Sequence, residues 1–201
     1  MKSILTIVLS MICLFIYGQV DYDTYFATAG NNKEEFKIQI TEKKGVVDEV
    51  YIYSKSVDNT YDKCVLVVKA KKLGTFVDYL KYVNTKFKEW SETAIKNKVD
   101  DFSKDIDADL RDYYSVGFAY DDWYMDSRVK LKSMFAVNEG DPIIYIYTGT
   151  IYSNSNSYIQ SKGLFMPFAT PEDLQELIDK LDVSMMQRSL SKNSDTENLF
   201  N

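Results

Sequence analysis

Residues 75–96 read TFVDYLKYVNTKFKEWSETAIK, and this stretch sets the terms for the rest of the chain. Phe76, Leu80, Val83, Phe87, Trp90 and Ala94 recur at alternating spacings of four and three, which at about 3.6 residues per turn forms one apolar stripe. Asp78, Lys81, Lys86, Lys88, Glu89 and Glu92 fall on the other side. Thr75 is placed to cap the first turn through its hydroxyl, Asp78 follows three residues later, and Lys96 and Lys98 suit the negative C-terminal end. The spacing therefore predicts a helix from Thr75 to about Lys96, with Phe76, Leu80, Phe87 and Trp90 facing a sheet.

Working back from that helix, Phe36, Ile38 and Ile40 alternate with Lys37, Gln39 and Thr41, the period of a half-buried strand. Lys43-Lys44-Gly45 turns it, Val50 to Tyr53 forms a second strand, and Cys64 to Val68 a third after a polar connection at 57–62. Beyond the helix, an acidic connector leads to a second series. Val129, Leu131, Phe135 and Val137 mark a strand, Gly140-Asp141-Pro142 a turn, and Ile143 to Ile151 and Tyr158 to Phe168 two more strands. Thr170-Pro171-Glu172-Asp173 then opens a helix with a hydroxyl cap, a proline in its first position and acids in its first turn.

The two series overlay at an offset near 95, with Gly45 on Gly140, Thr75 on Thr170, and Tyr51-Ile52-Tyr53 on Tyr145-Ile146-Tyr147 one residue out of step. This predicts an internal duplication of a three-strand-plus-helix unit. The expected fold is α+β: an antiparallel sheet of about six to seven strands, with two amphipathic helices on one face and residues 113–120 as the seventh strand. Residues 19–183 read as a single domain, with half one at about 33–98, a connector at about 99–127 and half two at about 128–183. The polar residues 184–201 read as a disordered tail.

The first eighteen residues are a different material. Lys2 gives a positive start, and the apolar run from Ile4 to Tyr17, about fourteen residues, is shorter than the roughly 20 needed to span a bilayer but fits the core of a secretory signal. Cleavage after Gly18 would leave a chain starting Gln19-Val20-Asp21, which resembles exported bacterial proteins, located in the periplasm or outside the cell. Cys13 raises a lipoprotein anchor as an alternative, although Ile12 stands where lipid attachment favours a small residue. Cleavage removes Lys2 and no acid, so the formal charge moves from −6 to −7. Such a surface repels phosphate backbones, which argues against nucleic-acid binding. Cys64 then remains without a disulfide partner, and its apolar surroundings CVLVV mark a buried thiol.

The chain contains no histidine. Serine and cysteine nucleophiles activated by histidine, and histidine-ligated zinc, are therefore excluded, and no other catalytic or cofactor motif stands out. Asp105, Asp107 and Asp109 open like a calcium loop, but Leu110 stands where that loop needs glycine and Val116 where it needs a bidentate acid. Phe102, Ile106 and Leu110, spaced by four, predict instead a short amphipathic helix with a solvated acidic face. No metal or cofactor is expected.

The candidate binding residues are Tyr113, Tyr114, Tyr120, Asp121, Asp122, Trp123 and Tyr124, because aromatic faces beside carboxylates suit sugar rings and their hydroxyls. The competing reading is a hairpin turn, with Asp121 and Asp122 bending the chain and the aromatics pairing across strands. Tyr51, Tyr53, Tyr145, Tyr147 and Tyr152 are a second candidate, as a stripe on one sheet face. The expected function is an exported non-catalytic binding or interaction module whose ligand is a protein partner or a glycan. The alternatives are a carboxylate-dependent glycoside hydrolase and a structural or assembly protein.

Overall fold

A computed structural model describes residues 19–29, 32–57, 63–107, 110, 113–119, 122–153, 156 and 158–198. The elements run β1 (Gln19–Ala29), β2 (Asn32–Lys43), β3 (Val46–Ser56), β4 (Cys64–Lys69), α1 (Ala70–Lys96), β5 (Phe102–Ile106), β6 (Tyr114–Ala119), β7 (Trp123–Asp126), β8 (Leu131–Asn138), β9 (Asp141–Thr148), β10 (Ile151–Tyr152), β11 (Gln160–Ser161), β12 (Leu164–Phe168), α2 (Pro171–Lys180) and α3 (Val183–Asn198). The architecture is mixed α+β with antiparallel pairing, but the sheet has ten strands where six to seven are expected from the sequence. Eight follow the order β5-β8-β9-β12-β3-β4-β6-β7. Strand β3 is long enough to take two neighbours along one edge: β2 pairs with Val46 to Tyr53, and β12 with Lys55 and Ser56. The sheet forks there, and β1 extends the β2 arm.

Two of the extra strands were hidden by how their apolar residues are spaced. In β1 the register slips between Asp21 and Asp23, so Val20 and Tyr22 fall out of phase with the buried Tyr25 and Ala27, and no clean alternation survives. In β5 the spacing of four at Phe102 and Ile106, which reads as a helix, is also twice the strand period, and the chain takes the strand, pairing Phe102 with Val137. Lys104 between them lays its ammonium 4.8 Å from the Trp90 ring centroid, so its stem serves as the missing apolar residue.

Helix α1 begins at Ala70, five residues before the expected cap. The early start draws Leu73 fully into the core, at the expense of a first turn on Lys69 that has no side-chain cap and an interior Gly74. Thr75 is exposed within the helix. Phe76, Leu80, Val83 and Phe87 are fully buried, each contributing roughly 1.5–3 kcal/mol. Trp90 is only half-buried, edge-on to Phe135 at 5.7 Å. Helix α2 starts as expected: the Thr170 hydroxyl accepts from Asp173 N at 3.1 Å, Pro171 follows, and Leu174 and Leu177 are buried. It packs against α1, β1 and β12.

Within the polar C-terminal stretch read as a tail, Val183–Asn198 form α3, and residues 199–201 lie outside the described residues. Met186 and Leu190, one per turn, are the buried side of α3, and Asp182 caps it by accepting from Ser184 N at 2.7 Å and Met185 N at 3.1 Å. Gln187 ties it to the β2–β3 turn, accepting from Val47 N at 3.1 Å and donating to Gly45 O at 2.7 Å. Four apolar residues among sixteen, Val183 and Met185 of them exposed, are too few to announce a helix, and the anchor is a polar side chain.

Tyr79 points from α1 into the core, where its hydroxyl is paired with Ser133. Burial pushes its pKa up to about 12, and raises Tyr25 as well. The unfolded chain loses these protons near pH 10, so the stability they carry is complete below pH 10 and falls as pH rises above it, the Tyr79 share being lost as pH climbs through about 12. Each contributes a slope of up to about 1.4 kcal/mol per pH unit. Denaturant midpoints should fall between pH 9 and pH 11, and Tyr79→Phe should flatten that fall; equal slopes would contradict it.

Candidate functional site

Side chains alternate across a strand, so the residues between the core positions form a second sheet face, turned away from the helices. On β3, Val50 and Ile52 go to the core while Tyr51 and Tyr53 go outward. The register carries that outer face across the sheet: Tyr53 is opposite Lys37 and Val65, Val65 opposite Gly117, and Gly117 opposite Met125. On the other arm Lys55 is opposite Phe165, Phe165 opposite Tyr147, and Tyr147 opposite Lys132. Tyr51, Tyr53, Tyr145, Tyr147, Phe165 and Trp123 therefore share one face. Tyr152 lies apart, on β10.

Trp123 stands at the end of the β6–β7 hairpin opposite Ala119, with 40% of its surface exposed. Its ring meets Tyr53 edge to face, centroids 5.8 Å apart at 68°. Strands β6 and β4 lie between the two, and small residues clear the way. Gly117 is obligatory there, because an added Cβ would lie 2.8 Å from Tyr124 O and collide with the Met125 sulfur. Trp123 and Tyr53 border an open depression of about 420 Å³, also lined by Glu35, Lys37, Gln39, Lys55 and Lys63.

Ion pairs and hydrogen bonds fix this lining. Lys37 pairs with Asp21 at 2.8 Å and Lys55 with Glu34 at 2.8 Å. Gln39 donates to Asp21, and the Gln39 and Lys37 contacts hold that carboxyl below its usual range. The Tyr53 hydroxyl donates to Gln19 Oε1 at 3.0 Å, and burial raises its pKa. The second arm is stiffened the same way: Tyr145 stacks on Phe165 at 5.2 Å, Asn138 donates to the Tyr145 hydroxyl at 3.0 Å, and Lys132 sits 6.0 Å from the Tyr147 centroid.

The residues singled out at 113–124 are divided by the fold. Tyr120 and Asp121 lie outside the described residues. Asp122 accepts from Trp123 N at 2.7 Å and bends the chain, and Tyr124 turns inward to stack on Phe118 at 5.4 Å. Tyr114 is buried, its hydroxyl donating to Val129 O at 2.9 Å and accepting from Leu131 N. The Tyr113 ring lies 4.4 Å from the Lys72 ammonium, at a separate depression of about 360 Å³ lined also by Glu49, Lys69, Lys71 and Ser115. Of the five described residues among the seven, Trp123 is the one that borders the outer-face depression. Its neighbours there come from β2, β3 and the residue that leads into β4, and only strand pairing brings them together.

Compared with known proteins, the chain matches no family model, no curated protein and no solved structure. Its function therefore has to be argued from its own side chains. Among the described residues, no three Cys, Asp or Glu side chains converge as a metal site, and no helix is long and apolar enough to cross a membrane. Cys64 is buried, its sulfur 3.8 Å from Ser161 Oγ and from Gly163 O. Residues 1–18, which carry the export reading, and Asp109 of the acidic run lie outside the described residues.

Proposed function

We propose that this chain is an exported, non-catalytic binding module that takes its ligand on the outer face of the sheet, centred on Trp123 and Tyr53. The observation that carries this reading is a half-exposed indole, braced by a tyrosine, at the border of a depression whose polar lining is already fixed by ion pairs. Preorganised aromatic and polar groups reduce the ordering cost of binding. Hydrolysis asks for two carboxylates facing across the substrate at roughly 5–9.5 Å, and Glu35 is the one carboxylate among the described residues lining the depression.

The two halves read as copies of one unit, and that reading accounts for the face. Lys43 pairs with Val46 and Asn138 with Asp141, the same register at an offset of 95. Both turns place two residues in the left-handed region, Lys44-Gly45 and Glu139-Gly140, as tight hairpins require. Duplication would then put Tyr51 and Tyr53 in one copy, and Tyr145 and Tyr147 in the other, on the same side of a shared sheet. An assembly role would use the open edge of β5. A two-fold pairing with full overlap of that strand sets Lys104 against Lys104, and like charges directly opposite disfavour it.

The test is a photo-activated cross-linking amino acid placed at position 123 of the protein in the cell that exports it, with position 158, 94% exposed on a remote loop, as the control. A defined adduct at 123 and none at 158 is expected. No adduct at 123, or the same adducts at both, would remove the proposal.

A further inference from the structure

We infer that the ligand of the Trp123 depression is an uncharged glycan; this rests on the binding reading above and narrows it. A pyranose offers an apolar C–H face and a rim of hydroxyls that each donate and accept. It is met best by an aromatic plane ringed by mixed donors and acceptors. The depression has that composition: the Trp123 indole and the Tyr53 ring, then the Gln39 amide, the Glu35 carboxylate, and the ammonium groups of Lys37, Lys55 and Lys63.

Charge decides between neutral and ionic ligands. Lys37 is neutralised by Asp21 and Lys55 by Glu34, which leaves Lys63 and Glu35, of opposite sign, on the lining. An anionic polymer would meet one uncompensated ammonium beside a carboxylate, on a protein whose formal charge is −6. A cationic ligand would meet the Lys63 ammonium, with Glu35 as the one carboxylate among the described residues of the lining to offset it. An uncharged sugar escapes both conflicts, and the paired charges still supply strong, oriented hydrogen bonds. The Trp90 groove, lined by Thr93, Ala94, Val99, Phe102 and Phe135, lacks such a rim, its one charged group, Lys104, being spent on the Trp90 ring.

The experiment is native electrophoresis of the purified protein through gels containing hydroxyethylcellulose, galactomannan or a soluble β-1,3-glucan, against gels containing alginate or polygalacturonate. Retardation is expected in at least one neutral gel and in neither acidic one. Trp123→Ala should weaken it about tenfold or more, Trp123→Phe should keep affinity within about threefold, and Tyr152→Ala should leave it unchanged. Thermal melts of all three variants report folding, and Trp123→Phe tests stacking even if Trp123→Ala unfolds. Retardation in acidic gels alone, in no gel, or undiminished in folded Trp123→Ala would overturn the inference. A polypeptide cross-linked at position 123 together with no retardation would end the glycan assignment and leave the binding reading standing. No cross-link at all would end both.

Discussion

Phe135→Ala is expected to lower the stability of this protein by about 3–5 kcal/mol, read as a shift in the denaturant midpoint at constant slope. The residue is fully buried on β8, and its ring is the hub of an aromatic cluster: Trp90 at 5.7 Å, Phe87 at 6.3 Å and Phe102 at 6.4 Å. Truncation leaves a void that α1 and the edge strand β5 cannot both close, because each is held by its own neighbours. Trp90→Ala, by contrast, should cost only about 1–2 kcal/mol, since its ring is half open and covered on one side by the mobile stem of Lys104. The apolar stripe alone would have assigned Trp90 the full 3–5 kcal/mol. A larger loss for Trp90→Ala than for Phe135→Ala would show that the cluster is centred on the helix and not on the sheet.

Gly163→Ala should be comparably damaging, by about 3 kcal/mol or more. Its φ of +114° is closed to other residues, and an added Cβ would lie 2.5 Å from both Gly149 O and Thr148 O and 2.7 Å from Thr148 Oγ1. Two of those three atoms are backbone and cannot swing aside. The same residue joins distant parts of the chain: its N–H donates to Ser161 Oγ at 3.2 Å, and its carbonyl accepts from Val57 N at 2.9 Å and from the Cys64 thiol. A shift there would pull β12 from β3, at the place where the sheet forks. Gly45→Ala is the matched comparison, with φ of +78° but open space around it, and should cost about 1 kcal/mol. Equal losses in the two variants would contradict this account of Gly163.

Much of this fold is legible in the sequence because local and global signals agree. The alternation of Phe36, Ile38 and Ile40, the left-handed turn at Gly45, and the Thr170-Pro171 cap each describe an element that the structure contains. Legibility fails where one pattern admits two periods, as at Phe102 and Ile106, and where a bulge shifts the phase, as at Asp21 to Asp23. It fails again where packing overrides a cap, as when Leu73 carries α1 past Thr75. The candidate site was only partly visible. Trp123 and the outward tyrosines of β3 and β9 stand out as residue types, but Lys37 and Gln39 look like ordinary solvated strand residues and Lys63 like part of a polar connection. What makes them a site is register, which places β2, β3 and β4 side by side and lets Trp123 reach across β6 over Gly117.

The outer face around Trp123 is the centre of this account, and the chain offers a direct optical reading of it, since it has two tryptophans. With Trp90 replaced by Phe, all indole emission comes from Trp123. Adding the species captured by the cross-linker at position 123 should shift that emission to the blue and reduce its quenching by acrylamide at least about twofold, as the exposed ring is covered. Saturable binding with the emission and quenching of Trp123 unchanged would place the ligand elsewhere and contradict the account.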